Sequence, residues 1–384
     1  MEPPAPAQRR RITPPPPPPP VPELNSDLIE MILLRLPPDD PALLFRSTMV
    51  CSEWRDLLTN IAFAGRYRAL HVNPPLLGVL VNAEDDFAAR FIPTCSFRPR
   101  TLHHPGCHAL DARDGRVLFY RAAEGDLLIW DPITDEARTV PFPRFEGADL
   151  ESTSFHAAVL CAGRGCRDRL VCHCRRRVGF RVAFVATAPD DEDLIFCCIY
   201  SSEEVAWNEP LSLSNYQDLV IDGTARAAFL GTTLYFIANS EDVRMILAYD
   251  MDRPRFSFFP APQVPAIRSA IPVSARGRLL FAAMEGARLR LWLREAGAAR
   301  SRAPAWVALG PIALPFPTPA LDLNPDVVGF AERVAVFLVT TDHGLYTARL
   351  RPRREMKPVV AGARAPGAIP YTSFYTPADL VPEE

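Results

Sequence analysis

From residue 109 to residue 360 the chain keeps returning to one rhythm: four short runs rich in Val, Leu, Phe and Tyr, separated by Gly, Asp, Pro and Arg. The clearest copy has runs at 109–112, 116–120, 126–131 and 137–141. Further copies lie at 227–230, 233–237, 244–249 and 257–260, then at 268–273, 278–283, 288–293 and 306–309, then at 326–330, 334–339, 344–350 and 356–360. A looser copy with insertions spans 156–213. Runs of this length bounded by turn residues read as strands, and beyond about residue 70 no long amphipathic helix period appears. Four-stranded units repeating every 35 to 60 residues or so predict a β-propeller, whose blades pack radially and leave few exposed edges. Five units are complete, and strands at 77–81 and 89–93 precede them. The segment 369–374 is able to add a strand to that early pair and join the ends of the ring. The expectation is a six-bladed propeller over 72–376, with a seven-bladed ring or an irregular pair of β-sandwiches as the alternatives.

The residues before this domain obey a different period. Between Leu28 and Leu36, seven of nine residues are apolar, whereas a helix facing one core needs three or four per two turns. Leu28, Ile32 and Leu36 form one row at i, i+4, i+8, and Ile29 with Leu33 forms a second; Met31 and Leu34 sit further round. Asn25 or Ser26 is placed to cap the first turn, and Asp27 and Glu30 suit the positive end of the macrodipole. Pro37 and Pro38 stop the helix. Asp40 followed by Pro41 reads as the start of a second helix through Leu43, Leu44 and Phe45. A third is expected from about 47 to 58, with Val50, Trp54, Leu57 and Leu58 on one side. Three short helices have too little interior to bury both rows of the first, so one row is left for another protein. The fold class expected is therefore α+β multidomain: a small three-helix module followed by an all-β domain.

These residues resemble the F-box, the helical module that docks F-box proteins onto the Skp adaptor of a cullin-based ubiquitin ligase. The resemblance rests on the run from Leu24 to Pro37 and on Val50-Cys51-x-x-Trp54, followed by Leu57-Leu58 and Ala62-Phe63. It implies a module over 23–66. It also implies that Leu24, Leu28, Ile32, Leu33, Leu36, Pro37 and Leu44 form or flank the adaptor surface, with Val50 and Trp54 as module core. The family usually opens with Leu-Pro, and Asn25 stands where that proline would be, which implies weaker docking. Trp130-Asp131-Pro132-x-Thr134, echoed by Tyr249-Asp250, is similar to the F-box-associated propellers of plant F-box proteins. The role implied is that of a non-catalytic substrate receptor, binding a Skp-family adaptor, through it a cullin, and an unknown target protein. The alternative role is an F-box scaffold or regulator acting outside the ligase.

Composition excludes several other classes. A net charge of −3 and a pI near 6.2 give no general attraction to nucleic acid or anionic lipid. No run of eighteen apolar residues occurs, and no membrane partner is expected. Nine cysteines without an export signal read as reduced thiols, and the protein is expected in the cytoplasm, the nucleus or both. The unbroken prolines from Pro14 to Pro20, preceded by Arg9-Arg10-Arg11, predict a solvated polyproline II spacer within a disordered tail over 1–22; residues 377–384 read as a second tail.

No catalytic or cofactor motif is present: the Gly-x-Ser-x-Gly elbow, the phosphate loop, His-Glu-x-x-His and Gly-x-Gly-x-x-Gly are all missing. His103, His104, Cys107 and His108, and the group Cys161, Cys166, Cys172, His173 and Cys174, offer many metal-ligand atoms. Neither has the paired Cys-x-x-Cys spacing of a structural zinc site, so no metal or cofactor is expected. Glu84-Asp85-Asp86 and Asp190-Asp191-Glu192-Asp193 read as solvated acidic loops. The arginines at 164, 167, 169, 175–177 and 181 lack the interleaved aromatics of a nucleic-acid surface. Cys197 and Cys198 sit in an apolar run as core-filling thiols.

Overall fold

The computed structural model describes residues 25–83, 87–144, 154–163, 179–188, 194–214, 219–240, 243–263, 269–295, 305–317, 324–362 and 364–381. Within them, four helices lead into six antiparallel sheets. The helices are α1 (Ser26–Leu33), α2 (Pro41–Ser47), α3 (Ser52–Thr59) and α4 (Ile61–His71). Two of them differ from expectation. The third helix starts at Ser52, and a fourth follows it. α4 leaves little trace in the sequence because its apolar residues are spread round the helix, interrupted by Gly65, Arg66 and Arg68.

Each sheet is one propeller blade, and six blades close the ring. Blade 1 is Cys107–Arg113, Arg116–Arg121, Asp126–Asp131 and Glu136–Pro141, running from the axis outward. Blade 5 repeats the plan with Asp326–Ala331, Val336–Thr341, Gly344–Arg349 and Glu355–Ala361. Blades 2 and 4 split their outer strand in two, and blade 3 splits its inner one, where Val220–Ile221 and Ala228–Leu230 both pair with Thr233–Asn239. Blade 6 closes the circle: Ala368–Thr372 supplies the inner strand, and Leu76–Ala83, Ala88–Pro93 and His103–Pro105 supply the rest. The register pairs Val79 with Pro370 and Leu80 with Ile369. Gly78 is required there, since a Cβ would stand 2.3 Å from the buried ring of Phe91.

Recurrent residues have recurrent structural tasks. The carboxylate of Asp131 accepts from the backbone N–H of Ile133 at 2.9 Å and of Thr134 at 3.4 Å. Asp250 accepts from Asp252 at 3.0 Å and Arg253 at 3.3 Å. The aromatic-Asp pair is thus a device for turning the third strand of a blade into the fourth. The indole N–H of Trp130 donates to Asp135 across the same turn at 2.9 Å. Two other indoles stitch neighbouring blades: Trp207 donates to the carbonyl of Pro141 at 2.8 Å and Trp306 to that of Pro260 at 2.9 Å.

Where the inner strands converge, a buried ionic lock crosses the ring. Asp111 is fully buried; one carboxylate oxygen accepts from Arg226 Nε at 2.6 Å, the other from Arg113 Nε at 2.8 Å and the Val159 N–H at 3.1 Å. Arg226 also donates to the carbonyls of Phe330 at 3.1 Å and Ala112 at 2.8 Å, and Arg113 donates to the carbonyl of Ala227. Blades 1, 2, 3 and 5 are joined through one carboxylate. Burial alone would raise the Asp111 pKa, but the two guanidiniums outweigh it and hold the group below the usual carboxylate range.

Candidate functional site

The helical module owes its geometry to one clasp. The row Ile29 and Leu33 of α1 is buried with Leu44, Leu58, Phe63 and Tyr67, and Phe374 from the end of the chain completes this small core. α4 holds the far end of α1. The Tyr67 hydroxyl donates to the Leu36 carbonyl at 2.8 Å, and His71 Nε2 donates to the Leu34 carbonyl at 2.9 Å. Ser26 Oγ donates to Glu53 at 2.6 Å, tying the starts of α1 and α3 together. Asn25 is extended and its side chain accepts from the Asp27 N–H at 3.0 Å, so it serves as the N-cap at the position where the resemblance implies a proline.

With Ile29 and Leu33 turned inward, the other row faces solvent. Leu28 is 48% exposed, Met31 47% and Ile32 50%, at i, i+3, i+4 spacing on one side of the helix. Leu24 lies outside the described residues. Leu36 is half-buried and Pro37 exposed. Two expected surface residues, Leu33 and Leu44, are core instead: each lies on the inward row of its helix, where the other helices cover it. Expected core residue Val50 is 62% exposed. The reason is the later start of α3, which leaves Val50 in the turn behind α2. Trp54 is half-buried against the module core. Met49, beside Val50, is exposed as well. Met31 and Met49 were not singled out as surface by periodicity, because nothing in a row of apolar residues says which side the neighbours will cover.

The module is seated on one end of the propeller. Phe374 and Tyr375 follow the inner strand of blade 6, and the Phe45 and Tyr375 rings lie 4.5 Å apart. Arg68 pairs with Asp379, in a single 3₁₀ turn at Pro377–Leu380 that the sequence had suggested as tail. The Ala42 N–H donates to Ser96 Oγ at 3.3 Å. These contacts all lie where the inner strand of blade 6 ends and its second strand begins. The ends at which the inner strands begin form the opposite face, which the helices leave free.

Of the remaining candidate clusters, the described one, His103, His104, Cys107 and His108, is divided by the fold. His103, on an outer strand, is exposed, while His104 is wedged between Phe119 and Trp130, whose rings lie 4.7 Å and 4.3 Å from it. Burial pushes the pKa of His104 down. Cys107 is in the core shared by blades 6 and 1, and His108 contacts Asn82 at 3.1 Å. Among the described residues no three His, Cys, Asp or Glu side chains gather as a metal site. Cys166, Cys172, His173 and Cys174, both acidic groups (84–86 and 190–193) and the arginines at 164–177 lie outside the described residues. Cys197 and Cys198 are buried free thiols, and burial raises the Cys198 pKa to about 12. No helix among the described residues is long and apolar enough to cross a membrane.

Residues 21–63 match the F-box domain. No curated protein matches the chain at a significant level. Among solved structures, the chain is similar to TolB from Acinetobacter baumannii, with 12% identity, 79% of this chain and 69% of that one covered, and a TM-score of 0.44. It is also similar to the Dos1 propeller, with 10% identity, 75% and 69% covered and a TM-score of 0.37. The WD40 domain of SCAP from fission yeast shares 11% identity over 70% of this chain and 55% of that one, with a TM-score of 0.35.

Proposed function

We propose that this protein is the substrate-recognition subunit of a cullin-based ubiquitin ligase, related in plan to the plant F-box proteins with an associated propeller. A Skp-family adaptor docks on the helical module, and a target protein docks on the propeller. The observation that carries this reading is the F-box match at residues 21–63 joined to the solvent-facing stripe of Leu28, Met31 and Ile32. Exposed large apolar side chains grouped on one helix face mark a protein-binding surface. The chain supplies no chemistry of its own on this reading. Holding the target beside the ubiquitin-charged enzyme raises effective concentration, which accelerates transfer without a catalytic side chain here. The face of the propeller away from the helices suits the target, because a target there does not compete with the adaptor for space. The sites of action are the cytoplasm, the nucleus or both.

The test is co-purification of the full chain with a Skp adaptor. Leu28→Asp combined with Ile32→Asp places two charges in the stripe, touches nothing in the module core, and abolishes adaptor recovery while the melting temperature stays unchanged. Retained recovery of the adaptor by that double variant breaks the proposal. Normal adaptor recovery with no cullin or ubiquitin conjugates moves the protein to a scaffold role outside the ligase.

A further inference from the structure

The free face of the propeller carries a cavity of about 240 Å³. Asp222 and Arg244 of blade 3, Ser269 before blade 4, Asp326 and Thr340 of blade 5 and Arg364 before blade 6 line it. Every one of these except Arg244 stands at or near the start of an inner strand or the end of a second strand, so the cavity opens on the side opposite the helices.

Most of its polar lining is already satisfied. Asp222 accepts from the Thr224 N–H at 3.0 Å, the Ala225 N–H at 3.2 Å and Asn239 Nδ2 at 3.3 Å. Ser269 donates to the Val327 carbonyl at 2.8 Å, and Thr340 accepts from the Ala365 N–H at 2.8 Å. Arg364 is held by Asp326, by Asp342 and by the Asn324 carbonyl at 2.9 Å. Arg244 differs. Its Nε donates to Asn239 Oδ1 at 3.0 Å, while its two terminal nitrogens engage no acceptor and no carboxylate lies within ion-pair reach among the described residues. Of the two guanidiniums in the cavity, one is neutralised by the protein and one is not.

We propose that this cavity recognises a carboxylate of the target polypeptide, bound through the terminal nitrogens of Arg244. A guanidinium presents two parallel donors that match a carboxylate in fork-to-fork fashion. Asp222 and Asp326 on the same walls disfavour a second negative charge, so the ligand is a single carboxylate and not a phosphate. The volume is below that of a drug-sized site, which suits an acidic side chain or a chain terminus. The proposal rests on the reading that the propeller receives a protein, and it supplies the chemistry of that recognition.

The purified full chain is probed with an array of random hexapeptides in three arms: a free C-terminus, an amidated C-terminus with internal Asp or Glu, and an amidated phosphoserine set. Retention in either of the first two arms is the expected result, and the arm that wins identifies the carboxylate as terminal or side-chain. Arg244→Ala and Arg244→Gln then weaken the selected peptide by about tenfold or more, in keeping with loss of a charge-assisted bidentate pair, while Arg244→Lys restores part of it. Unchanged affinity in the variants overturns the proposal, as does selection of neutral, basic or phosphorylated peptides, or retention of none. Skp adaptor recovery is measured on the same preparations. Its loss in the wild type breaks the ligase reading and leaves the peptide result standing, so the two failures are separable.

Discussion

The eight residues of α1 and the six of Val336–Thr341 are both strongly apolar, yet two of the eight are buried and all six of the strand are. Neighbours explain the difference. A second strand of a propeller blade has a blade on each side, so both its faces are covered. The first helix of a small module has neighbours on one side, and its surplus faces water. The lesson, on the proposed function, is that the two regions bind by different means. In the helices the proposed docking surface is made of apolar side chains that the fold leaves exposed, Leu28, Met31 and Ile32. Among the described residues of the propeller the exposed large apolar side chains, such as Val205, Val220 and Val307, lie on different strands and turns, and the ligand surface proposed there is built from polar groups at strand ends, where Arg244 stands.

If the propeller is a closed unit held across its axis, the most damaging change lies at Asp111. Asp111→Ala leaves the guanidinium of Arg226 without its counter-charge and that of Arg113 with only the longer contact to Glu332 at 3.6 Å, both arginines being largely buried. Removing one partner of a buried pair costs about 3–5 kcal/mol, and chemical denaturation read by near-ultraviolet circular dichroism is expected to show a loss of that size. A loss under about 1 kcal/mol, the range of exposed ion pairs, would mean that the ring closes without this lock, and the contrast with the open module would weaken.

A smaller effect follows from acid. His156 is buried beside Asp111, its Nδ1–H donates to the Gly223 carbonyl at 3.3 Å, and its Nε2 finds no partner among the described residues. Burial lowers its pKa below the ordinary 6.5, a shift that the nearby Asp111 charge does not reverse. Because the folded value lies below the unfolded one, the stability from keeping this ring neutral is complete above 6.5 and drains away as pH falls toward the folded value. His104 and His108 are shifted the same way by burial. The melting temperature is expected to fall between about pH 7.5 and 5.5, and His156→Gln to flatten part of that slope. A slope identical in the variant would remove His156 from the account. The Asp111 contribution is lost only at much lower pH, beneath its ordinary value of 3.8.

Most of the ring was legible because a four-run rhythm specifies a blade with local information alone. The closing strand was legible too, since two early runs lacked a partner and 369–374 was the one spare run near the end. Other parts depend on distant residues. The split inner strand of blade 3 exists because Asp222 and Arg226 turn away to cap a turn and to reach Asp111, and a residue 115 positions off leaves no periodic trace. His103–Pro105 is a short outer strand whose residues drew notice only as metal ligands. In the module, two apolar rows were visible from spacing, but which row faces the core was set by α4 and Phe374, one weakly patterned and the other more than three hundred residues away. The roles that the resemblance implied for Leu33 and Leu44 differ from their buried positions for that reason, and Val50 differs because α3 starts only at Ser52. Arg244 was invisible as a site residue, since its unengaged terminal nitrogens are a property of the finished cavity.

The smallest expected effect tests whether the open region is defined by its cap or only by its stripe. Asn25 has φ −61° and ψ 143°, values a proline adopts without strain. Asn25→Ala removes the acceptor for the Asp27 N–H and costs about 1 kcal/mol, the usual worth of an N-cap. Asn25→Pro removes the same acceptor but restricts the unfolded chain, which returns about 0.4–1 kcal/mol where the native dihedrals fit. The two changes therefore separate: alanine lowers the denaturation midpoint and proline leaves it nearly where it was. Adaptor affinity gives the second axis, because the proline variant restores the opening found in the F-box family and is expected to bind a Skp adaptor at least as tightly as the wild type. A proline variant less stable than the alanine one would show that Asn25 holds more than the cap. One that is stable but binds more weakly would place the docking determinant in the asparagine side chain itself, and the exposed stripe would no longer account for the module's partner alone.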